Sequence, residues 1–488
     1  MSIFSPRTPR WLATVAPFAL ATAIACTAQA QEGASAPDAA VDADATVGEI
    51  VVTGLRGQQP RSIIDSPVPI DVVGQAQLTA TGKVGLKQAL SSAIPSLTLA
   101  AQNGGGTSAS VPPYAVQGLT GDYVLVLVNG KRRHPTALIN NLATLGGGST
   151  PVDLDFIPPG AIERVEYLRG GAAAQYGSDA IAGVINIILK KSGHGGGSET
   201  TIGQTYRSAG ELVQENFDLG LALLGGTIHL AASAFQQSPA SAAAKTTGVL
   251  YPLVKGALDP REASAYRDIG RSYGRSTLNT TINFAYDFNA PIGRDWEVYS
   301  FSTISGRIIK DARGAFRPDD LSSLPAIYPD GFQAYRRIHE SDYQGTFGLK
   351  GPFAGWTWDF SSSFGRDDAK LSASNTLNAS LGPTVRQTDF YMGKQIFEQW
   401  TNNLDATRAF DVGLARPLDV SWGLEHRWEQ FAEVAGEPNS YINGGYIIGT
   451  ASERPIPLNV VEQPSYYSTG KYTSAWDLAR IHKDLHRG

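Results

Sequence analysis

The chain has 488 residues, 42% hydrophobic and 17% charged, with 53 glycines, 28 prolines, two methionines and one cysteine. Charge is sparse beside the roughly 25% of ordinary soluble domains; the formal net charge is −5, so no basic field favours nucleic acid. No apolar run of transmembrane-helix length follows the N-terminus, which excludes a helical membrane protein but leaves membrane strands, whose signal per segment is much weaker.

Residues 1–30 are laid out as a secretory signal. Arg7 and Arg10 supply a basic start, residues 11–25 an apolar stretch, and Ala28-Gln29-Ala30 an A-x-A site that predicts cleavage after Ala30. The arginines are not adjacent, against a twin-arginine route. Cys26 lies inside this segment; a lipoprotein reading would acylate it, but Ala23 stands three positions before it where Leu is expected. Cleavage after Ala30 leaves no cysteine and 38 basic residues against 45 acidic. An exported chain without disulfides must be held by burial and hydrogen bonding. Residues 31–48, rich in Ala, Asp and Gly, read as a flexible periplasmic leader.

Glu49-Ile50-Val51-Val52-Thr53-Gly54 is an isolated β-branched run with strong strand propensity and no evident partner strand. It suits pairing with the sheet edge of another protein, where backbone bonds supply the affinity, or forms the first strand of the next domain. Beyond it, Leu86, Leu90 and Ala93 share one helix face and Pro95 ends that helix. Val124, Val126 and Val128 alternate with Leu125 and Leu127, predicting a strand buried on both faces. Asn129-Gly130 is a hairpin-turn signal. Gly170-Gly171, Gly177 and Gly183 mark bends or close backbone approach.

From residue 199 the pattern becomes period two. Phe217, Leu219, Leu221 and Leu223 alternate with polar or small residues, as do Ile282, Phe284, Tyr286 and Phe288, then Trp356, Trp358 and Phe360, then Val420, Trp422 and Leu424. One face suits lipid and the other a polar lumen. About nine strands are readable, near 199–207, 214–223, 227–236, 276–288, 296–308, 342–350, 355–366, 400–411 and 418–430. Short turns at 224–226, 289–295, 351–354 and 412–417 alternate with long polar loops at 237–275, 309–341 and 367–399. Sorting of loop length by parity is the signature of an outer-membrane barrel; a soluble β-sandwich would not show it.

These motifs resemble, in order, those of TonB-dependent outer-membrane receptors. Residues 49–54 look like the TonB box. Leu86-Lys87-Gln88-Ala89-Leu90 through Ile94-Pro95-Ser96-Leu97 resembles the early helix of the plug domain, and Val124 through Arg132 its strand and turn. Val116-Gln117-Gly118-Leu119 stands where the family commonly has an Arg-Gly pair, with Gln117 in place of the Arg. Residues 162–170 and 175–187 resemble the closing strands of the plug. The expected organisation is a signal peptide (1–30), leader (31–48), TonB box (49–54), α+β plug (55–190) and partial all-β antiparallel transmembrane barrel (191–488).

The resemblance implies an outer-membrane receptor of a Gram-negative bacterium for energy-coupled uptake of a scarce ligand, such as a ferric siderophore. TonB is the implied partner at Glu49, Ile50, Val51, Val52, Thr53 and Gly54. Gly-rich plug loops nominate Gln102, Asn103, Tyr114, Asn140 and Asn141 as ligand-facing. Arg132, Arg133, Glu163, Arg164, Glu166 and Arg169 are the expected polar contacts between plug and barrel. The 18 residues between the cleavage site and the TonB box are too few for an added signalling domain.

Plugged transporters have roughly 22 strands, and the charged tail at 476–488 lacks a closing aromatic strand. The expectation is therefore a truncated or frameshifted receptor, since open sheet edges are not tolerated in lipid. The competing readings are a non-transporting fragment that binds TonB, and a carbohydrate or cobalamin receptor of the same architecture. Catalytic chemistry finds no support. Residues 171–178 have phosphate-loop glycines without a Lys, His339-Glu340 lacks a second His at metal-protease spacing, and no G-x-S-x-G supports a nucleophile. Neither a metal nor a cofactor is expected.

Overall fold

A computed structural model describes residues 51–52, 61–62, 69–99, 107, 112–140, 146–170, 176–204, 210–240, 247–265, 278–413 and 417–446. The signal, the leader and the C-terminal tail lie outside them, as do Glu49, Ile50, Thr53, Gly54, Gln102, Asn103 and Asn141. Among the described residues no helix is long and apolar enough to cross a membrane.

Strand β1 (Val51–Val52) pairs antiparallel with β2 (Arg61–Ser62), Val51 opposite Ser62 and Val52 opposite Arg61. The β-branched run thus has a partner strand that the sequence pattern did not reveal. The plug follows. Its elements are β3 (Ile70–Gly74), α1 (Gln75–Ala80), α2 (Leu86–Ala93), β4 (Leu97–Leu99), β5 (Tyr114–Val116), β6 (Leu119–Thr120), β7 (Val124–Val128), β8 (Lys131–Arg132), β9 (Ile162–Leu168) and β10 (Gly183–Leu189). One mixed sheet runs β3-β9-β10-β7-β8 and a smaller one β4-β5-β6. Only the β10–β7 pairing is parallel.

The plug core explains the apolar runs. Strand β7 is buried at all five positions. Val124, Val126 and Val128 join the main core with Leu86, Leu90 and Ile185, while Leu125 and Leu127 face a second cluster with Leu168 and Val184. Asn129 and Gly130 take positive φ values of 49° and 79°, as the two-residue turn that twists with its flanking strands requires.

Nine strands follow: β11 (Gly196–Gly203), β12 (Leu212–Leu223), β13 (Gly226–Gln237), β14 (Leu278–Ile292), β15 (Trp296–Phe316), β16 (Phe332–Phe353), β17 (Trp356–Ser374), β18 (Phe390–Phe410) and β19 (Leu418–Ala435). They pair antiparallel in chain order, forming a curved wall around the plug with β11 and β19 at its two edges. Polarity is inverted relative to a soluble protein. Outward Phe284, Ile304, Phe347, Phe360, Trp400 and Leu424 are exposed, whereas inward Asn216, Asn283, Ser305, Thr346, Ser361 and Gln399 are buried under the plug. This suits a wall between lipid and a polar lumen.

The strands overshoot their predicted ends on one side. The expected loops 309–341 and 367–399 shrink to 317–331 and 375–389, because β15 and β18 run for 21 residues, β16 for 22 and β17 for 19. At about 3.3 Å per residue such strands reach roughly 70 Å, against the 9–11 residues that span a bilayer. In these upper halves the outward face turns polar and the inward face mixes charges with apolar Ile309, Ile338 and Leu371, so the ladder continues while the simple hydrophobic alternation that announces it stops.

Candidate functional site: the charged seat of the plug

Two sets of buried charges join plug to wall. The first hangs on α2, whose buried face includes Leu86, Ala89 and Leu90, with Lys87 buried beside them. The Lys87 ammonium lies 3.5 Å from Asp153 and 3.3 Å from Asp155. Asp153 meets the Arg307 guanidinium of β15 at 2.6 Å. Arg307 also holds Glu340 of β16 at 2.5 Å and lies 4.2 Å over the Phe156 ring. Charges therefore alternate from plug to wall, Lys87–Asp153–Arg307–Glu340. Burial alone would raise the Asp153 carboxyl, but Arg307 and Lys87 outweigh it and hold it below the usual carboxylate range. Burial likewise opposes the Lys87 charge, yet Asp153 and Asp155 push its pKa up. Removing one member of such a set costs about 3–5 kcal/mol, because its partner is left charged and buried.

The second set is carried by the hairpin β7–β8 and the segment after it. Lys131 lies 3.2 Å from Asp359 and 3.6 Å from Asp405, and the Tyr299 hydroxyl donates to Asp359 at 2.6 Å. Arg132 pairs with Asp179 at 2.7 Å and reaches Glu425 of β19 at 3.7 Å. Arg133 pairs with Asp342 of β16. The His134 amide donates to Gln344 at 3.0 Å, while the Thr136 hydroxyl and Ala137 amide both donate to Asp367, at 2.9 and 2.7 Å. Burial, reinforced by the adjacent Arg133, pushes the His134 imidazole well below its ordinary pKa, so it sits neutral. A clasp holds the exit from the plug: Asp218 of β12 binds Lys190 at 3.1 Å and His229 at 3.0 Å, and His229 bonds the Ser192 hydroxyl at 3.0 Å. Beneath the hairpin lies a cavity of about 850 Å³ lined by both signs of charge, among them Lys131, Lys191, Lys350, Asp287, Asp359 and Asp405.

Of the six charges expected to bridge plug and barrel, Arg132 and Arg133 meet wall residues. The other four have partners within the plug. Arg164 pairs with Glu163 at 2.5 Å and Glu166 at 3.0 Å, and Arg169 with Asp71 at 2.5 Å. The reason is the sheet order, which sets β9 between β3 and β10. Tyr114, expected to face ligand, is 2% exposed in the plug core; the alternation of β5 turns it inward, and Gly121 packs on its ring. Asn140 is buried and donates to the Gly146 carbonyl at 3.1 Å, bracing its own loop. Sequence reasoning passed over Lys87, Asp153, Arg307, Glu340, Asp342 and Asp367. The signal was present for the wall members: Arg307 shares the inward parity of Thr303 and Ser305.

A sequence profile of the TonB-dependent Receptor Plug Domain matches residues 62–184. Among solved structures, a ferric enterobactin receptor (PfeA) from Pseudomonas aeruginosa aligns at 14% identity and a TM-score of 0.53, covering 78% of this chain and 50% of that one. The siderophore receptor PirA from Acinetobacter baumannii aligns at 17% identity and 0.50, covering 76% and 49%. The chain thus spans about half the length of the solved receptors it matches. At these identities the likeness is one of fold, and it extends through plug and wall together. The chain therefore carries the plug domain of the TonB-dependent receptor family, seated in a wall with the fold of that family's barrels.

Proposed function

We propose that this chain serves energy-coupled uptake across the outer membrane of a Gram-negative bacterium, with a ferric siderophore or similar iron complex as ligand. The observation that carries the reading is the plug held in the wall by charge pairs, with a cavity lined by both signs of charge beside the β7–β8 hairpin. The seat is partly apolar, Leu138 packing with Ile309, Ile338 and Leu371, but at its Lys131 end a pull on the plug meets ion pairs that water can replace. An outer membrane has no nucleotide or gradient of its own, so the pull must come through a protein contact. Residues 49–54 are the proposed handle for TonB, by strand pairing. Export with cleavage after Ala30 brings the chain to its membrane. Gln102, Asn103 and Asn141 are the proposed ligand-facing residues.

The test is accumulation of labelled iron from a panel of ferric siderophores, in cells lacking their own receptors and expressing this chain with or without residues 49–54. Uptake from one complex, abolished by the deletion, is the expected result. No accumulation from any member of the panel would overturn the reading.

A further inference from the structure

The outward face of β16–β19 is built in rows that cross neighbouring strands. In one row Leu349, Phe360, Leu404 and Leu424 stand opposite one another in turn. Four residues farther along β17 the same is true of Gly345, Phe364, Trp400 and Trp428. Both rows suit lipid. The row between them does not: Ser362 stands opposite Asn402, and Asn402 opposite His426. An amide and an imidazole thus lie in the apolar band, about 7 Å along their strands from apolar or aromatic residues on either side. Polar side chains at membrane depth are costly, and they mark places where a partner meets them.

Ser362 is settled within the chain, because the Trp400 indole donates to its hydroxyl oxygen at 2.9 Å. The Trp400 ring also stands edge-on to the His426 ring, with centroids 6.3 Å apart. The Asn402 amide nitrogen lies 3.5 Å from His426 Nδ1. An amide nitrogen only donates, so Nδ1 accepts and the imidazole proton sits on Nε2. Two groups are left over: the His426 Nε2–H donor and the Asn402 Oδ1 acceptor have no partner among the described residues. His426 is exposed and Asn402 half-buried on the outward face, where lipid tails offer neither donor nor acceptor.

The leftover donor and acceptor match each other, yet within one chain they are turned apart by the bond that already joins their side chains. A second copy satisfies both. Chains inserted with the same end outward carry this row at the same depth, and a two-fold axis along the membrane normal sets the row against itself. Any other membrane protein would need a matching polar pair at that depth; a second copy has one by symmetry. We propose that Asn402 and His426 join two copies of this chain side by side in the membrane, the imidazole of each donating to the amide oxygen of the other. This rests on the outer-membrane reading given above.

The test counts chains per particle by single-molecule photobleaching of the intact, labelled chain in liposomes at high lipid excess. The wild type should bleach mainly in two steps. Asn402→Leu/His426→Leu should lower the apparent dimerisation constant on the order of tenfold. If that variant does not fold, Asn402→Ala carries the same expectation. Phe284→Ala, exposed on the outward face of β14, should leave the count unchanged. In outer membranes, Cys26→Ser/Leu424→Cys holds a single cysteine beside the row, and oxidation should link it into a product of twice the chain's mass. One-step bleaching of the wild type, a count unchanged in the leucine variant, or a cross-linked product of any other mass would each overturn the proposal. Cell fractionation separates the two readings: a chain absent from the outer membrane defeats the uptake reading, whereas the count in liposomes decides the dimer.

Discussion

The imidazole of His134 lies flush against Gly365 on the inward face of β17, where a Cβ would overlap its Cδ2 atom. A glycine in the wall is thus the socket for a plug side chain. Gly365→Ala should displace the ring and strain the adjacent bond from the His134 amide to Gln344, loosening the seat by about 1–3 kcal/mol. Protease cleavage within residues 131–138 of the folded chain should accelerate accordingly. Gly345→Ala, whose Cβ would meet only Ser302 at 4.0 Å, should leave the cleavage rate unchanged.

Asp153 neutralises two cations from opposite partners, Lys87 of the plug and Arg307 of the wall. Asp153→Asn should cost about 3–5 kcal/mol in urea unfolding. Lys87→Met combined with Asp153→Asn should cost less than the two single changes together, because Arg307 retains Glu340 and no lysine is stranded. Strict additivity of the three measurements would refute this account of the bridge.

Acid should loosen the plug in two stages. His134 titrates lower in the folded chain than its ordinary value of 6.5, so the unfolded chain binds more protons once the pH falls below that value. Its contribution is fully present above pH 6.5 and is lost as the pH drops, by up to about 1.4 kcal/mol per unit. The depressed Asp153 carboxyl adds a second loss, beginning near the ordinary carboxylate value of about 4. His134→Gln should therefore keep a higher urea midpoint relative to the wild type as the pH falls from 7 to 5, while sparing the limb below pH 4.

The mid-bilayer row is predicted to be Leu349, Phe360, Leu404 and Leu424, which face one another on β16–β19. Phe360→Arg should destabilise the inserted wall by about 2–4 kcal/mol, seen as a lower unfolding midpoint in liposomes. Ser362→Arg, one step along the same face, should behave alike. An arginine at 360 tolerated without cost would place this face away from lipid.

What the sequence made legible was local. The buried strand β7 and its Asn129-Gly130 turn follow from residues next to one another, and the lower halves of the wall strands from apolar alternation. The upper halves were hidden because apolar alternation fails there: inward Arg336, Ile338 and Glu340 of β16 mix charge with an aliphatic residue, and outward Arg337, His339 and Ser341 are polar. Charge partners were hidden for another reason. Arg169 and Asp71 are 98 residues apart and meet because β9 pairs with β3, an order no local pattern encodes. Lys87 sits one residue from the predicted apolar face of α2, where a long side chain reads as solvated until Asp153 is placed beside it.

The overshoot of β15 and β16 has a mechanical side. At their crest Phe316 and Phe332 stack with ring centroids 4.5 Å apart; eight to nine residues lower, about 30 Å along the same strands, Arg307 and Glu340 grip the plug. The ladder between these points breaks register only between Ala312 and Ala315. Crest and seat are two ends of one ladder with a single break near its top, so a load applied to the strands below that break is carried to the arginine beneath the plug without touching the plug.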